Sequence, residues 1–184
     1  MGVTIACVNA HDYLGRGDEY VGKLRAACGR NEFRVFTEAD GLRGWWNKLQ
    51  LFRPGAFPAG ERVVYLDLDT VIVGDLGPLL DYRGPFAALK DFYRKWGFGS
   101  GVMAWEAGTC DDIWTEWDRL GRPELRGGDQ SWIEYMRPDA VRLQNEVPGI
   151  VSYKVHCLNG VPKHSRLVCF HGSPRPHEVT LEFQ

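Results

Sequence analysis

Two aspartates interrupt an apolar run in RVVYLDLDTVIV, residues 62–73. An unpaired carboxylate is costly to bury, so Asp67 and Asp69 either end a strand in water or meet a cation. Hard divalent ions take carboxylate oxygens, and Mg²⁺ commonly combines one or two of them with substrate phosphates. The spacing therefore supports a Mn²⁺ or Mg²⁺ site completed by a phosphorylated ligand. The plainer alternative is a solvated turn in which Asp69 and Thr70 bond local backbone. The β-branched and aromatic residues before the pair favour the site.

Other residues could join the pair. His171 follows a late apolar run, and its imidazole can serve as a third metal ligand; a lone histidine can equally be a surface or core residue. Arg175 lies four residues on, in a Gly/Pro-rich segment, and its planar donor fork suits phosphate. Lys48, within GWWNKLQLF, can meet a diphosphate or a sugar, or simply be a surface lysine on an amphipathic helix. Gly97, Gly99 and Gly101 allow backbone to approach a ligand closely. Their spacing is not a dinucleotide fingerprint, because the run enters a strand rather than a helix. Asp129 also suits a helix N-cap. Trp114, Trp117 and Trp132 are expected in the core, whereas Trp45, Trp46 and Trp96 are expected nearer the cleft.

The elements that must position these groups alternate. Strands are expected at Val3–Asn9, Phe33–Phe36 and Val63–Leu66, with shorter ones at Val71–Val73, Phe86–Leu89, Gly101–Trp105 and Arg166–Phe170. Helical spacing marks Glu19–Cys28, Gly44–Phe52, Thr109–Leu120 and Asp129–Met136. Alternation of this kind implies an α/β fold with a mostly parallel central sheet flanked by helices. Asp67 and Asp69 then stand at the carboxyl end of a sheet strand, where open α/β sheets place their ligand crevice.

The chain has 184 residues, enough for one domain with a full core, and is expected to form a single compact domain over 1–184. Its net charge of −2 shows no global basic field for nucleic acid, although Arg43, Arg53, Arg62, Arg94 and Lys95 could form a local patch. No apolar run approaches a membrane span, so membrane insertion is not expected. The five cysteines are an odd number without a CxxC pair and read as free thiols. With no secretory pattern at the amino end, a cytoplasmic location is expected.

Six segments in order resemble the GT-A-fold nucleotide-sugar glycosyltransferases, and are most similar to family 8, the glycogenin and bacterial galactosyltransferase group. They are TIACVNAHDY, WWNKLQLF, YLDLDTVIVGDL, ALKDF with GFGSGVMAW, GDQSW and CFHGSPRPHE. The resemblance implies a Rossmann-like GT-A domain and a retaining, metal-dependent hexosyl transfer from a nucleoside-diphosphate sugar. UDP is the expected carrier and glucose or galactose the expected sugar. It places Asp67, Asp69 and His171 on the metal. It places Asp91, Asp129 and Gln130 on the donor sugar's hydroxyls, with Asp129 or Gln130 near the reacting carbon. Asn9, Tyr13 and Thr37 are the expected contacts to base and ribose, and Lys48, Ser100, Gly101, Gly172 and Arg175 complete the donor site. The acceptor stays open among a saccharide, a protein, a small molecule and a modified DNA base. Two alternatives stand beside this reading. DLDTV also satisfies the D-x-D-x-[TV] motif of haloacid-dehalogenase phosphatases, with Asp67 as nucleophile. A non-catalytic nucleotide-sugar-binding module is the third.

Overall fold

In the computed structural model, which describes residues 2–10, 13, 15–39 and 41–184, the apolar runs form the strands of one six-stranded sheet. Its members are β1 (Val3–Asn9), β2 (Glu32–Thr37), β3 (Arg62–Leu66), β5 (Ala87–Lys90), β6 (Phe98–Glu106) and β7 (Val141–Arg142), in the order β2-β1-β3-β6-β5-β7. Strand β1 pairs parallel with β2 and β3, and β5 parallel with β7, while β6 runs antiparallel to both β3 and β5. Five of the six strands therefore point one way and β6 points against them. That reversal matters for the site. The start of β6 lies beside the carboxyl end of β3, with Leu66 opposite Val102 and the Asp67 N–H donating to the Gly101 carbonyl at 2.8 Å.

All five residues of β3 are buried. A pleated strand sends successive side chains to opposite faces, and the two cores follow that rule. Val63 and Tyr65 join a cluster containing Trp46, Leu49, Phe52, Trp105, Ile113, Trp117, Trp132 and Ile133. Val64 and Leu66 join another with Ile5, Cys7, Tyr20, Leu24 and Leu143. The first face is covered by a 3-10 helix (Gly44–Phe52), α3 (Asp112–Arg119) and α4 (Gly128–Met136); the second by α1 (Gly17–Cys28). A fully buried Leu or Ile side chain contributes about 1.5–3 kcal/mol relative to exposure, so each face is a substantial driving force.

A second sheet follows the acids. Its strands are β4 (Thr70–Ile72), β9 (Leu167–Cys169) and β8 (Ile150–Ser152), in the order β4-β9-β8. The register sets Cys169 opposite Thr70, so the chain leaving β9 passes the acid pair on its way to His171. The remaining α-helices, α2 (Gly77–Leu80), α5 (Leu143–Glu146) and α6 (Tyr153–His156), are single turns, and a short 3-10 turn follows at Pro176–Glu178.

Several expected bounds shift for local reasons. The Gly44–Phe52 helix is of the tighter 3-10 form, which turns Trp45 outward at 65% exposure while Trp46 to Phe52 are all buried. The helix expected from Thr109 starts at Asp112, because Gly108 at φ +89° and the Thr109 Oγ1 bond to the Glu106 carbonyl close a turn first. Strand β6 reaches back to Phe98. All five cysteines are free and buried. No helix among the described residues is long and apolar enough to cross a membrane.

Candidate active site

The site begins with Asp67, the first residue past β3. Tyr65, two residues earlier on the same face of the strand, donates its hydroxyl to Asp67 Oδ1 at 2.5 Å. Lys48 Nζ stands 3.0 Å from that same oxygen and 3.1 Å from Asp129 Oδ2. It also donates to Ser100 Oγ at 3.1 Å, and Ser100 Oγ donates to Asp129 Oδ2 at 3.1 Å. The Ser100 N–H reaches Gln130 Oε1 at 3.3 Å. Helix α4 thus joins the 3-10 helix and β6 through one polar network. Burial pulls the Lys48 pKa down, but the charges of Asp129 and Asp67 outweigh it and hold the ammonium above the usual lysine value. Tyr65 is pushed well above the ordinary tyrosine range, by burial first and then by the charge of Asp67. Asp129 is the second residue of α4, with Gly127 at the cap, so its carboxylate serves the network rather than capping the helix.

Asp69 is held differently. Its Oδ2 accepts from Tyr13 OH at 2.6 Å and from Arg175 Nη1 at 2.6 Å, and Arg175 also donates to the Tyr13 hydroxyl. Burial, and then the Asp67 charge, push Asp69 up to about 6 against the pull of Tyr13 and Arg175. Among the described residues, no hydrogen bond reaches Asp67 Oδ2 or Asp69 Oδ1. Gly101 makes room for the first of these: a Cβ there would lie 3.1 Å from Asp67 Oδ2.

Two cavities meet at this pair. The larger, ≈ 600 Å³, runs from Val8, Ala10 and Tyr13 past Asp67 and Asp69 to Ser100, Asp129 and Gln130, with Lys48, Arg126 and Arg175 as its cations. Trp45 stands at its wall, and a Cβ on Gly128 would lie 2.5 Å from Trp45 Nε1, so a larger residue there would have to push the indole aside. The smaller, ≈ 220 Å³, shares Asp67, Asp69 and Gln130 and extends to Asp91, Gly101 and His171.

The expected residues therefore sort into three groups. Tyr13, Lys48, Ser100, Asp129, Gln130 and Arg175 line the larger cavity with the acids. Asp91, Gly101 and His171 line the smaller. Asn9, Thr37 and Gly172 lie off both. Asn9 Nδ2 donates to Asp18 Oδ1 at 3.2 Å, and its Oδ1 is buried without a partner among the described residues. The Thr37 carbonyl accepts from Gln50 Nε2 at 2.8 Å. Gly172 turns at φ +68° near Lys154. Asp91 acts as a loop hub: its Oδ1 accepts the Tyr93 and Arg94 N–H groups at 2.8 Å each, and its Oδ2 takes Arg94 Nε at 2.7 Å. Trp46 joins the core, stacked on Trp117 at 5.3 Å, and Trp96 is 81% exposed. Tyr65 and Arg126 went unremarked in the sequence. Tyr65 was findable, because a period of two puts it on the face of Asp67.

The fit of a divalent ion can be judged from these donors. Two neighbouring carboxylates, each with an oxygen free of hydrogen bonds and one with a raised pKa, suit a hard cation. His171 shares their cavity, but its Nε2 lies 2.8 Å from Ser152 Oγ, with the ring stacked on Phe92. Burial, and then Lys154, lower its pKa, which favours the neutral imidazole a metal needs. Among the described residues, no three His, Cys, Asp or Glu side chains stand together as a ready ligand set.

No protein-family model matches the chain, and no curated protein matches its sequence. Solved structures do share its fold. A glycosyltransferase involved in glycosylation of the major capsid of PBCV-1 superposes with a TM-score of 0.65 at 14% identity, over 91% of this chain and 93% of that one. An active-site mutant of LgtC gives 0.56 at 12% identity, over 94% and 89%. The glycosyltransferase GlyE of Streptococcus pneumoniae TIGR4 gives 0.53 at 16% identity over 76% of this chain, which spans 44% of GlyE. At these identities the likeness establishes architecture: the chain has the α/β fold of GT-A glycosyltransferases.

Proposed function

We propose that the protein is a metal-dependent glycosyltransferase that moves a hexose from a nucleoside-diphosphate sugar, a UDP-sugar in the first instance, to an acceptor hydroxyl. One observation carries this: on a GT-A-type fold, a paired-carboxylate rim opens into a 600 Å³ cavity that also holds three cations. Val8, Ala10 and Tyr13 offer an apolar and aromatic wall for a base at the end of β1. Lys48 and Arg175 supply positive charge where a diphosphate lies against the acids, and Asp129, Gln130 and Ser100 offer acceptors and donors for sugar hydroxyls. Asp67 and Asp69 are the residues to hold Mn²⁺ or Mg²⁺, with His171 as third ligand if it leaves Ser152. Such an ion, when bound, supplies Lewis-acid stabilisation of the departing diphosphate.

In the transfer, the acceptor oxygen forms a new bond to the anomeric carbon. The bond from that carbon to the diphosphate oxygen breaks, its electron pair leaves with the nucleoside diphosphate, and the hydroxyl proton passes to the departing phosphate. Buried Lys48 stays charged throughout, so its electrostatic stabilisation is present before the bond breaks. Retention at the anomeric carbon is part of the proposal, on the strength of the sequence resemblance.

Calorimetric titration of UDP with and without Mn²⁺, together with turnover of UDP-glucose and UDP-galactose, tests it. Asp69→Ala is expected to lower metal-dependent UDP affinity and turnover at least a hundredfold. Unchanged binding and turnover in that variant would sink the proposal.

A further inference from the structure

Tyr13 and Arg175 cover Asp69, and both lean on a residue that lines neither cavity. Tyr20, on α1, is buried among the apolar side chains of that face of the sheet. Its ring stands edge-on to Tyr13, with centroids 5.5 Å apart at 65°. Its hydroxyl meets His177 Nδ1 at 2.5 Å, with those two rings 6.1 Å apart. His177 itself is exposed and lies in the turn Pro176–Glu178, so packing does not explain its place.

The turn that carries His177 also sets Arg175. The Arg175 N–H donates to Glu178 Oε2 at 2.5 Å, and the Glu178 N–H donates back to the Arg175 carbonyl at 2.9 Å. Residues 175–178 are therefore braced as one piece, and a bond at His177 limits where the Arg175 guanidinium can go. That guanidinium lies 5.2 Å from the Tyr13 ring centre and 2.6 Å from Asp69 Oδ2. Glu19 and Arg16, the α1 charges that act on Tyr20, pair with each other at 2.6 Å, and Lys23 pairs with Glu19 as well. Among the described residues, the hydrogen bond to the His177 ring comes from Tyr20 alone.

A buried hydroxyl left without a partner loses its hydration with nothing in return, so Tyr20 holds His177 down. The arm that bears Arg175 is then ordered before a ligand arrives. A loose arm would have to be ordered by the ligand, at a cost in affinity. We propose that Tyr20 and His177 are positioning residues, a latch that keeps Arg175 over Asp69 in readiness for a diphosphate. Neither touches the substrate; both act through Arg175. This rests on the nucleotide-sugar reading above. Opening the latch has two consequences of opposite sign. Asp69 loses a competitor for its oxygen, which favours a bare cation, while the diphosphate loses a donor already in place.

Calorimetric titration of the full chain tests it, first with Mn²⁺ alone and then with UDP in saturating Mn²⁺. The measurements are made at about pH 8, where an ordinary histidine is neutral and Nδ1 can accept the Tyr20 proton. Tyr20→Phe, which removes a single oxygen, and His177→Ala should each weaken UDP about fivefold and tighten Mn²⁺ at least about twofold. His177→Asn, which keeps an acceptor near the place of Nδ1, should stay within about twofold of the unaltered protein for both ligands. In an Arg175→Ala background, Tyr20→Phe should change the UDP Kd less than about twofold, because the residue it acts through is gone. Unchanged UDP affinity in Tyr20→Phe, weakening of both ligands together, or a further fivefold loss on top of Arg175→Ala would overturn the latch alone. Failure of the unaltered protein to bind UDP would overturn the donor reading and the latch with it.

Discussion

Asp67 and Asp69 are two residues apart, yet opposite kinds of structure hold them. Asp67 is gripped from beneath by regular elements: Tyr65 on β3 and Lys48 on the 3-10 helix, the latter braced by Asp129 on α4. Those partners are buried, while the Asp67 side chain itself keeps 34% of its surface open to the cavity. Asp69 is the reverse. Its side chain is 9% exposed, and what covers it are Tyr13 and Arg175, from irregular segments far away in sequence. A ligand can meet Asp67 as the chain stands, but it reaches the Asp69 oxygen held by Arg175 only when that clamp lets go. The lesson is a division of labour: one acid is set by the framework, and the other is covered by two side chains from irregular segments.

The sharpest way to break this contrast is to remove the buried cation. Lys48→Met leaves Asp129, whose side chain is 8% exposed, and Asp67 without their shared partner. Truncating one member of a buried ion pair typically costs about 3–5 kcal/mol, and a loss of that order is expected in urea denaturation. Adding Asp129→Asn should recover part of it, since the two sites share one network. A loss below about 1 kcal/mol would mean that the framework under Asp67 is no firmer than the clamp over Asp69.

A smaller effect concerns pH. Asp69 has a folded pKa of about 6 against an ordinary 3.8, from burial and from Asp67. Between about pH 4 and 6 the folded chain then binds more protons than the unfolded one, so this group lowers stability as pH rises. Depressed carboxylates such as Asp91 and Asp112 act in the opposite direction at lower pH, and His171, with its lowered pKa, opposes it nearer neutrality. The comparison must therefore be the difference between the unaltered protein and Asp69→Asn, in chelator, from pH 4 to 7. That difference should move against the unaltered protein as pH rises. Movement the other way would show that Tyr13 and Arg175 stabilise the charge more than burial opposes it.

The same contrast explains what the sequence could and could not show. The Asp67 side was legible because it rests on pattern: Val63–Leu66 is a continuous apolar run, GDQSW opens a helix, and both acids stand where a strand must end. The strand period even implied Tyr65. It also accounts for Asn9, since Val8 and Ala10 line the larger cavity while the residue between them bonds Asp18. Thr37 lies on edge strand β2, one strand further from the acids than β1. Of the second sheet, β4 and β9 were expected as short strands at Val71–Val73 and Arg166–Phe170, but β8 has only three residues, too few to show a period, and the pairing of the three was not legible because it joins distant segments. The place of His171 depends on that pairing. Its imidazole stands in the acids' cavity but bonded to Ser152, a partner that spacing alone cannot reveal.

Arg175 gives the smallest expected effect on stability and the most telling one on the contrast. Its side chain is 25% exposed and sits on an irregular segment, and the carboxylate it covers already lies close to neutralisation by a proton. Arg175→Ala should therefore cost only about 1 kcal/mol in urea, well under the Lys48 variant. Its effect on binding should be of a different kind. Without the guanidinium, Asp69 loses a competitor for its oxygen while a diphosphate loses a donor. Mn²⁺ alone should bind more tightly, and UDP in saturating Mn²⁺ about tenfold more weakly, which calorimetry can separate. If both affinities fell together with a large loss of stability, Arg175 would belong to the framework, and the clamp over Asp69 would be a fixed strut.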